Sequence, residues 1–192
     1  EPYRRQRQMC IRDRVMILLI VAQFGMVIAL SAAIHKMSAG TATGLFLLYS
    51  ALTGAMLSSI FVIYPIASIA NAFLVTTGTF LAMSVYGTVT KRDLTTMGNF
   101  LFMGLIGIII AMVVNIFLKS TMMDFIISCL GVLIFTGLTA YDTQKLRRFG
   151  EAAPLDDGTA VRRGAIMGAL TLYLDFINLF LMMLRLFGGN RN

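Results

Sequence analysis

Apolar residues in this chain come in long uninterrupted blocks, without the alternation of a strand or the one-sided stripe of a water-facing helix. Charge-free runs cover 15–34, 37–90, 94–118 and 125–141, and 164–184 holds a single charge. A hydrocarbon core about 30 Å thick takes roughly 20 apolar residues in an α-helix. The 37–90 run has 54 residues, too many for one crossing, and contains Tyr64-Pro65. Proline suits the first turn of a new helix, so the run divides there. The pattern predicts six spans, over 15–35, 41–64, 65–90, 95–118, 123–146 and 164–187. Barrel strands are excluded, because the runs are long and do not alternate. Connections are short apart from the polar stretch 147–163, and there is no internal repeat. The expected fold is an all-α membrane protein. One transmembrane helical bundle covers 15–188, followed by a tail at 189–192.

Composition sharpens this picture. Hydrophobic residues make up 58% of the 192 and charged residues 13%, about half the usual charged share of a soluble domain. Mean hydropathy is +0.83 at a mass of 21.1 kDa. So small a soluble globule has no place for this much apolar mass, and a disordered chain needs low hydrophobicity. A disulfide scaffold is excluded as well, since one of the two cysteines, Cys129, sits inside an apolar run. His35 is the only histidine, so a multi-histidine metal site is not available. The net charge of +7 resembles that of a nucleic-acid binder. The charges cluster between apolar runs, however, as in membrane-protein loops. The expected partner is the lipid bilayer, not nucleic acid.

The first fourteen residues, EPYRRQRQMCIRDR, carry five Arg. The apolar run after them is longer than a signal-peptide core, so a signal anchor or an ordinary span fits better. QRQMCIRDR also resembles a translated sequencing adapter. Charge topology bears on the choice. If six spans alternate, one side receives Lys36, Lys91, Arg92, Lys145, Arg147, Arg148, Arg162 and Arg163. The other receives Lys119, Arg185 and Arg191, and the five N-terminal Arg bring it level. Without residues 1–14 the bias is eight to three, which makes the side holding 147–163 cytoplasmic. The expectation is therefore that 1–14 is a non-native or disordered basic segment, that a helix upstream is missing, and that Asn192 is external.

Ionisable groups inside spans are costly and point to function. Two acids qualify, Asp142 and Asp175. Asp175 lies eleven residues past Gly164, about 16 Å along the last span, and Asp142 lies about 6–10 Å inside the cytoplasmic end of the fifth. Similar depths in antiparallel neighbours allow a carboxyl pair. Gly164, Gly168, Thr171, Asp175, Asn178, Met182 and Arg185 recur at steps of four and three, one helix face. That face is small or polar, and such faces turn toward protein in a membrane. The remaining Leu and Phe suit a central helix packed on several sides. The structural alternative has Asp175 bonding a neighbouring hydroxyl or amide and holding the bundle together. Ser50, Gly54 and Ser58 form an i+4 series, as do Asn99, Met103, Gly107, Ala111 and Asn115, and both read as packing seams. The fourteen Met read as core filler. Lys36 marks an interface or reaches inward to a carboxylate, and Arg185 snorkels or caps its helix.

LTAYDTQKL (138–146) and LTLYLDFINLFLMMLRLFG (170–188) resemble the closing signatures of the Bax-inhibitor family of membrane proteins. LFLLYSALTGAMLSSIF (45–61) and TKRDLTTMGN (90–99) are similar to its bacterial inner-membrane members. The likeness spans about 15–190. It implies seven transmembrane helices with the last surrounded by the others, of which this sequence shows six. It implies a pH-sensitive cation leak of the bacterial inner membrane, chiefly for Ca²⁺ as the transported ion, with no cofactor and no enzymatic activity. Asp142 and Asp175 match the aspartates that share a proton, gate the pore and meet Ca²⁺ transiently. Lys36 falls at the latch position, where some members carry Arg, and Lys lacks Arg's bidentate fork. Thr171, Asn178 and Arg185 are candidate support. Other classes are a non-transporting regulator of membrane proteins, such as a membrane-bound protease, and a proton-coupled cation transporter. An intramembrane aspartyl protease is disfavoured, because Leu172-Tyr173-Leu174-Asp175 stands where GxGD belongs.

Overall fold

The computed structural model describes residues 3, 4, 7, 25–153 and 156–188. Its helices are α1 (Ala39–Leu57), α2 (Ile60–Ile63), α3 (Ile66–Val89), α4 (Thr95–Leu118), α5 (Thr121–Ala152) and α6 (Gly158–Gly188). Residues 25–33 are also helical, and no strand occurs among the described residues. Among the described residues five segments are long and apolar enough to cross a membrane: Ala39–Ile63, Ile66–Val89, Thr95–Leu118, Thr121–Ala152 and Gly158–Gly188. Of the span expected over 15–35, residues 15–24 lie outside the described ones. So do most of 1–14 and all of the tail, 189–192. Tyr3, Arg4 and Arg7 are exposed, and the Arg7 guanidinium lies 5.4 Å over the Tyr3 ring.

The surface is that of a membrane protein. Phe117 is 83% exposed and Val62 78%, and Ile66, Phe100 and Met103 also stand out of the bundle. A water-soluble protein rarely leaves patches of this kind uncovered. Lipid covers them without cost.

The helix boundaries follow local chemistry. Ser38 caps α1 by accepting from the Thr41 N–H at 3.2 Å. Its far end breaks at Ser58 and Ser59, whose hydroxyls donate back to the carbonyls of Ala55 and Met56. Pro65, at φ −63° and ψ 146°, starts α3. The stretch 147–163 is not a linker: α5 continues to Ala152 and α6 begins at Gly158. Arg147 and Glu151 form an i,i+4 ion pair at 3.4 Å, which favours helix there. Asp157 Oδ1 accepts from the Ala160 N–H at 3.1 Å, as a cap does.

By its contacts the chain forms two units, Glu1–Ile63 with Asp156–Met167 and Tyr64–Leu155 with Gly168–Asn192. In the first, Arg163 donates to the carbonyls of Met37 and His35 at 2.9 and 2.8 Å. These two bonds fix the turn that holds Lys36. Along α1 the buried positions are Ala42, Tyr49 and Thr53. Gly54 and Ser58 are exposed, so the Ser50 series is not the seam. In lipid a small exposed residue carries no penalty, and spacing alone does not choose the face.

In the second unit, α5 packs most extensively against α3 and α4. Glycines permit this. A Cβ on Gly87 would overlap the Ala140 carbonyl oxygen, and one on Gly98 would overlap the Tyr141 ring. Gly137 receives Leu101 in the same way. The buried face of α4 therefore runs through Gly98, Ile108 and Asn115. Asn99, Met103 and Gly107 are exposed, which corrects the second expected seam. The α4–α5 connection is only Lys119 and Ser120. Lys119 is left-handed, φ 50°. The buried Asn115 amide holds it from both ends, accepting from the Ser120 N–H at 3.1 Å and donating to Asp124 Oδ1 at 2.7 Å. On α6 only Ala169, Arg185 and Phe187 are exposed between 168 and 188. Of the five spans α6 also buries the largest share of its apolar window.

Candidate functional site: a buried carboxyl pair

Two contacts set the register of α6 against α5. Leu146 packs where Gly168 lacks a side chain, and Met182 does so at Gly131. As one index rises the other falls, so the helices are antiparallel. Asp175 is seven residues past Gly168, and Asp142 is four residues before Leu146. At 1.5 Å per residue these are about 10 and 6 Å from one reference level. The offset is about one helical turn, which side chains span. This register brings the carboxyls of Asp142 and Asp175 together, close enough to interact. Asp175 is buried, and its Oδ2 has no hydrogen-bond partner. Asp142 is half-buried.

The other candidates are placed as follows. Thr171 and Asn178, one turn either side of Asp175, are half-buried. Arg185 is exposed, ten residues and about 15 Å beyond Asp175. It lines two adjoining cavities of about 730 and 450 Å³, and Asp124 lines both as well. Lys36 is exposed in its turn within the first unit. Among the described residues no group of three or more His, Cys, Asp and Glu forms a metal site. Two carboxyls suit a passing cation better than a resident one, since Ca²⁺ takes 6–8 oxygens.

Sequence reasoning missed the clamp beside the pair. Gln144, two residues past Asp142, is buried. Its Oε1 accepts from the Leu94 N–H at 3.0 Å, and its Nε2 donates to the Arg92 carbonyl at 2.7 Å. Arg147 donates to the Thr88 carbonyl, and Arg148 pairs with Asp93 at 3.1 Å. Positions 144, 147 and 148 share one face of α5, and that face straps the α3–α4 connection to the helix bearing Asp142. Three consecutive polar residues at the end of an apolar span, Thr143-Gln144-Lys145, were the available signal.

Asp93 also receives the Thr95 hydroxyl at 2.6 Å and the Thr95 N–H at 3.0 Å. These bonds, the hydroxyl first and Arg148 least, hold its carboxyl below its ordinary value of 3.8. A lowered value means that the stabilisation is complete above the ordinary pKa and is lost as pH falls through the folded one. Thermal melts in detergent should show Tm falling between about pH 5 and 3. Asp93→Asn should flatten part of that fall, and an identical fall in the variant would assign it elsewhere.

Comparison with known proteins agrees with the fold. The family model described as "Inhibitor of apoptosis-promoting Bax1" matches residues 5–192. The chain belongs to the Bax inhibitor family. It is 59% identical over 173 residues to the inner membrane protein YbhL of Escherichia coli K12, covering 90% of this chain and 74% of that protein. An uncharacterized protein of Borreliella burgdorferi is 57% identical over 175 residues, 91% of this chain and 75% of the relative. One from Rickettsia prowazekii is 44% identical over 175 residues, 91% and 73% respectively. With five apolar spans among its described residues, this family member is a multi-pass inner-membrane protein.

Proposed function

We propose that this protein is a cation leak, with Ca²⁺ as the preferred ion, controlled by protonation of the Asp142–Asp175 pair. The observation that carries the reading is an acidic pair between two spans, with Asp175 Oδ2 buried and unpartnered. A carboxyl in this position is costly to keep for packing alone. Two carboxyls in contact titrate as a unit, and a shared proton joins them. When that proton leaves, like charges repel and the α5–α6 contact loosens. A hard divalent cation relieves the repulsion and finds oxygen ligands. The reading is non-enzymatic, and no cofactor takes part. The test is Ca²⁺ flux from liposomes holding the purified chain, recorded against pH with and without a proton gradient. Flux that rises with pH and runs without a gradient supports the leak. Flux that requires the gradient would make the protein a proton-coupled transporter. No flux at any pH would leave a partner or regulator of other membrane proteins as the better description.

A further inference from the structure

Hydroxyls inside membrane helices normally return to their own backbone, donating to the carbonyl four residues back. Eight in this chain do so: Thr43, Ser50, Thr53, Thr88, Ser128, Thr136, Thr139 and Thr143. Among the described residues, three hydroxyls are instead buried without any partner, and all are on α3. Thr76 Oγ1, Thr77 Oγ1 and Ser84 Oγ are buried without a hydrogen-bond partner, as Asp175 Oδ2 is. Thr76 is fully buried.

Their placement is not scattered. Phe73, Thr77, Phe80 and Ser84 follow steps of four, three and four, one face of α3. That face meets α6: the Phe73 and Phe80 rings stand edge-on to Phe176 at 6.0 and 5.3 Å, and Phe73 does so to Phe180 at 6.2 Å. Phe176 follows Asp175 directly. The ring contacts also set the depth: Phe176 meets both Phe73 and Phe80, so Asp175 is level with about Thr77, and Ser84 lies about 10 Å further along the span.

We infer that Thr77 and Ser84, with Thr76 beside them, form a row of neutral oxygen donors along which a partly dehydrated cation reaches the Asp142–Asp175 pair. The inference rests on the leak reading and deepens it by naming path residues. The pair offers at most four oxygens and Ca²⁺ takes 6–8, so neutral donors next to it supply ligands that two carboxyls lack. Three buried, unpaired hydroxyls are otherwise a net cost, because each is desolvated without a compensating bond.

The test compares Thr76→Val, Thr77→Val and Ser84→Ala with the unchanged chain, in the same liposomes at fixed pH. Each lost oxygen ligand should lower Ca²⁺ flux about tenfold. The pH midpoint should stay in place, since the acid pair is untouched. Thr77→Ser keeps the oxygen and should lose less flux than Thr77→Val. Tm should hold or rise, because an unpaired buried hydroxyl is being removed. Variants that conduct like the parent would overturn the row and leave the leak standing. Flux loss that tracks a lowered Tm would assign the hydroxyls to packing and overturn it too. A parent chain that conducts at no pH would overturn both the leak and the row.

Discussion

Asp175→Asn should leave Ca²⁺ flux indifferent to pH. Asparagine keeps the shape of the side chain and does not ionise, so no proton is left to lose at that position. The size of the effect follows from the geometry. Two unit charges about 4 Å apart repel by roughly 4 kcal/mol at an effective dielectric constant near 20, which biases a two-state equilibrium nearly a thousandfold. The carboxyls of Asp142 and Asp175 interact directly, so removing either charge removes this whole term. Asp142→Asn should therefore match Asp175→Asn. The double variant should be little different from either single, because contacting groups that act as a unit are not additive. Flux traces recorded against pH decide the matter. An unchanged pH profile in either single variant, or losses that add in the double, would make the aspartates structural. The bundle would then be better read as a partner for other membrane proteins.

Span positions were legible because hydrophobic length is a direct physical requirement of the bilayer. The start of α3 was legible for a local reason, the fixed φ of Pro65. Which face of each span packs was not legible. Gly54, Ser58, Asn99 and Gly107 all lie at seam spacing, and all are exposed. In water such a face would be marked by polar against apolar residues. In lipid both faces are apolar, and only a close approach separates a packed glycine from an idle one. The acid pair was legible because charges inside spans are rare and the depth of a residue follows from counting. The helical run through 147–152 was hidden by its polarity, which reads as loop unless the Arg147–Glu151 pairing is considered. The α3 hydroxyl row was hidden because threonine is ordinary in spans. Its distinction lies only in where its hydrogen bonds fail to go.

Gly87→Ala should be among the most damaging single-methyl changes available in this chain. The added Cβ would overlap the Ala140 carbonyl oxygen and crowd the side chain of Thr143. A carbonyl oxygen belongs to the backbone of α5 and does not swing aside as a side chain does, so the helices must separate. Overpacking of this kind costs about 1–3 kcal/mol. For a chain of this size that lowers Tm by roughly 2–12 °C. The displaced segment of α5 also carries Asp142, two residues past Ala140, so the pH response of flux should weaken together with stability. Gly107→Ala is the matched control, since nothing lies within 4 Å of its added Cβ. Alanine is also the better helix former by up to about 1 kcal/mol, so its Tm should hold or rise. Melting both variants in the same detergent tests the contrast. Equal Tm values for the two would show that the α3–α5 approach at Gly87 is looser than its geometry requires.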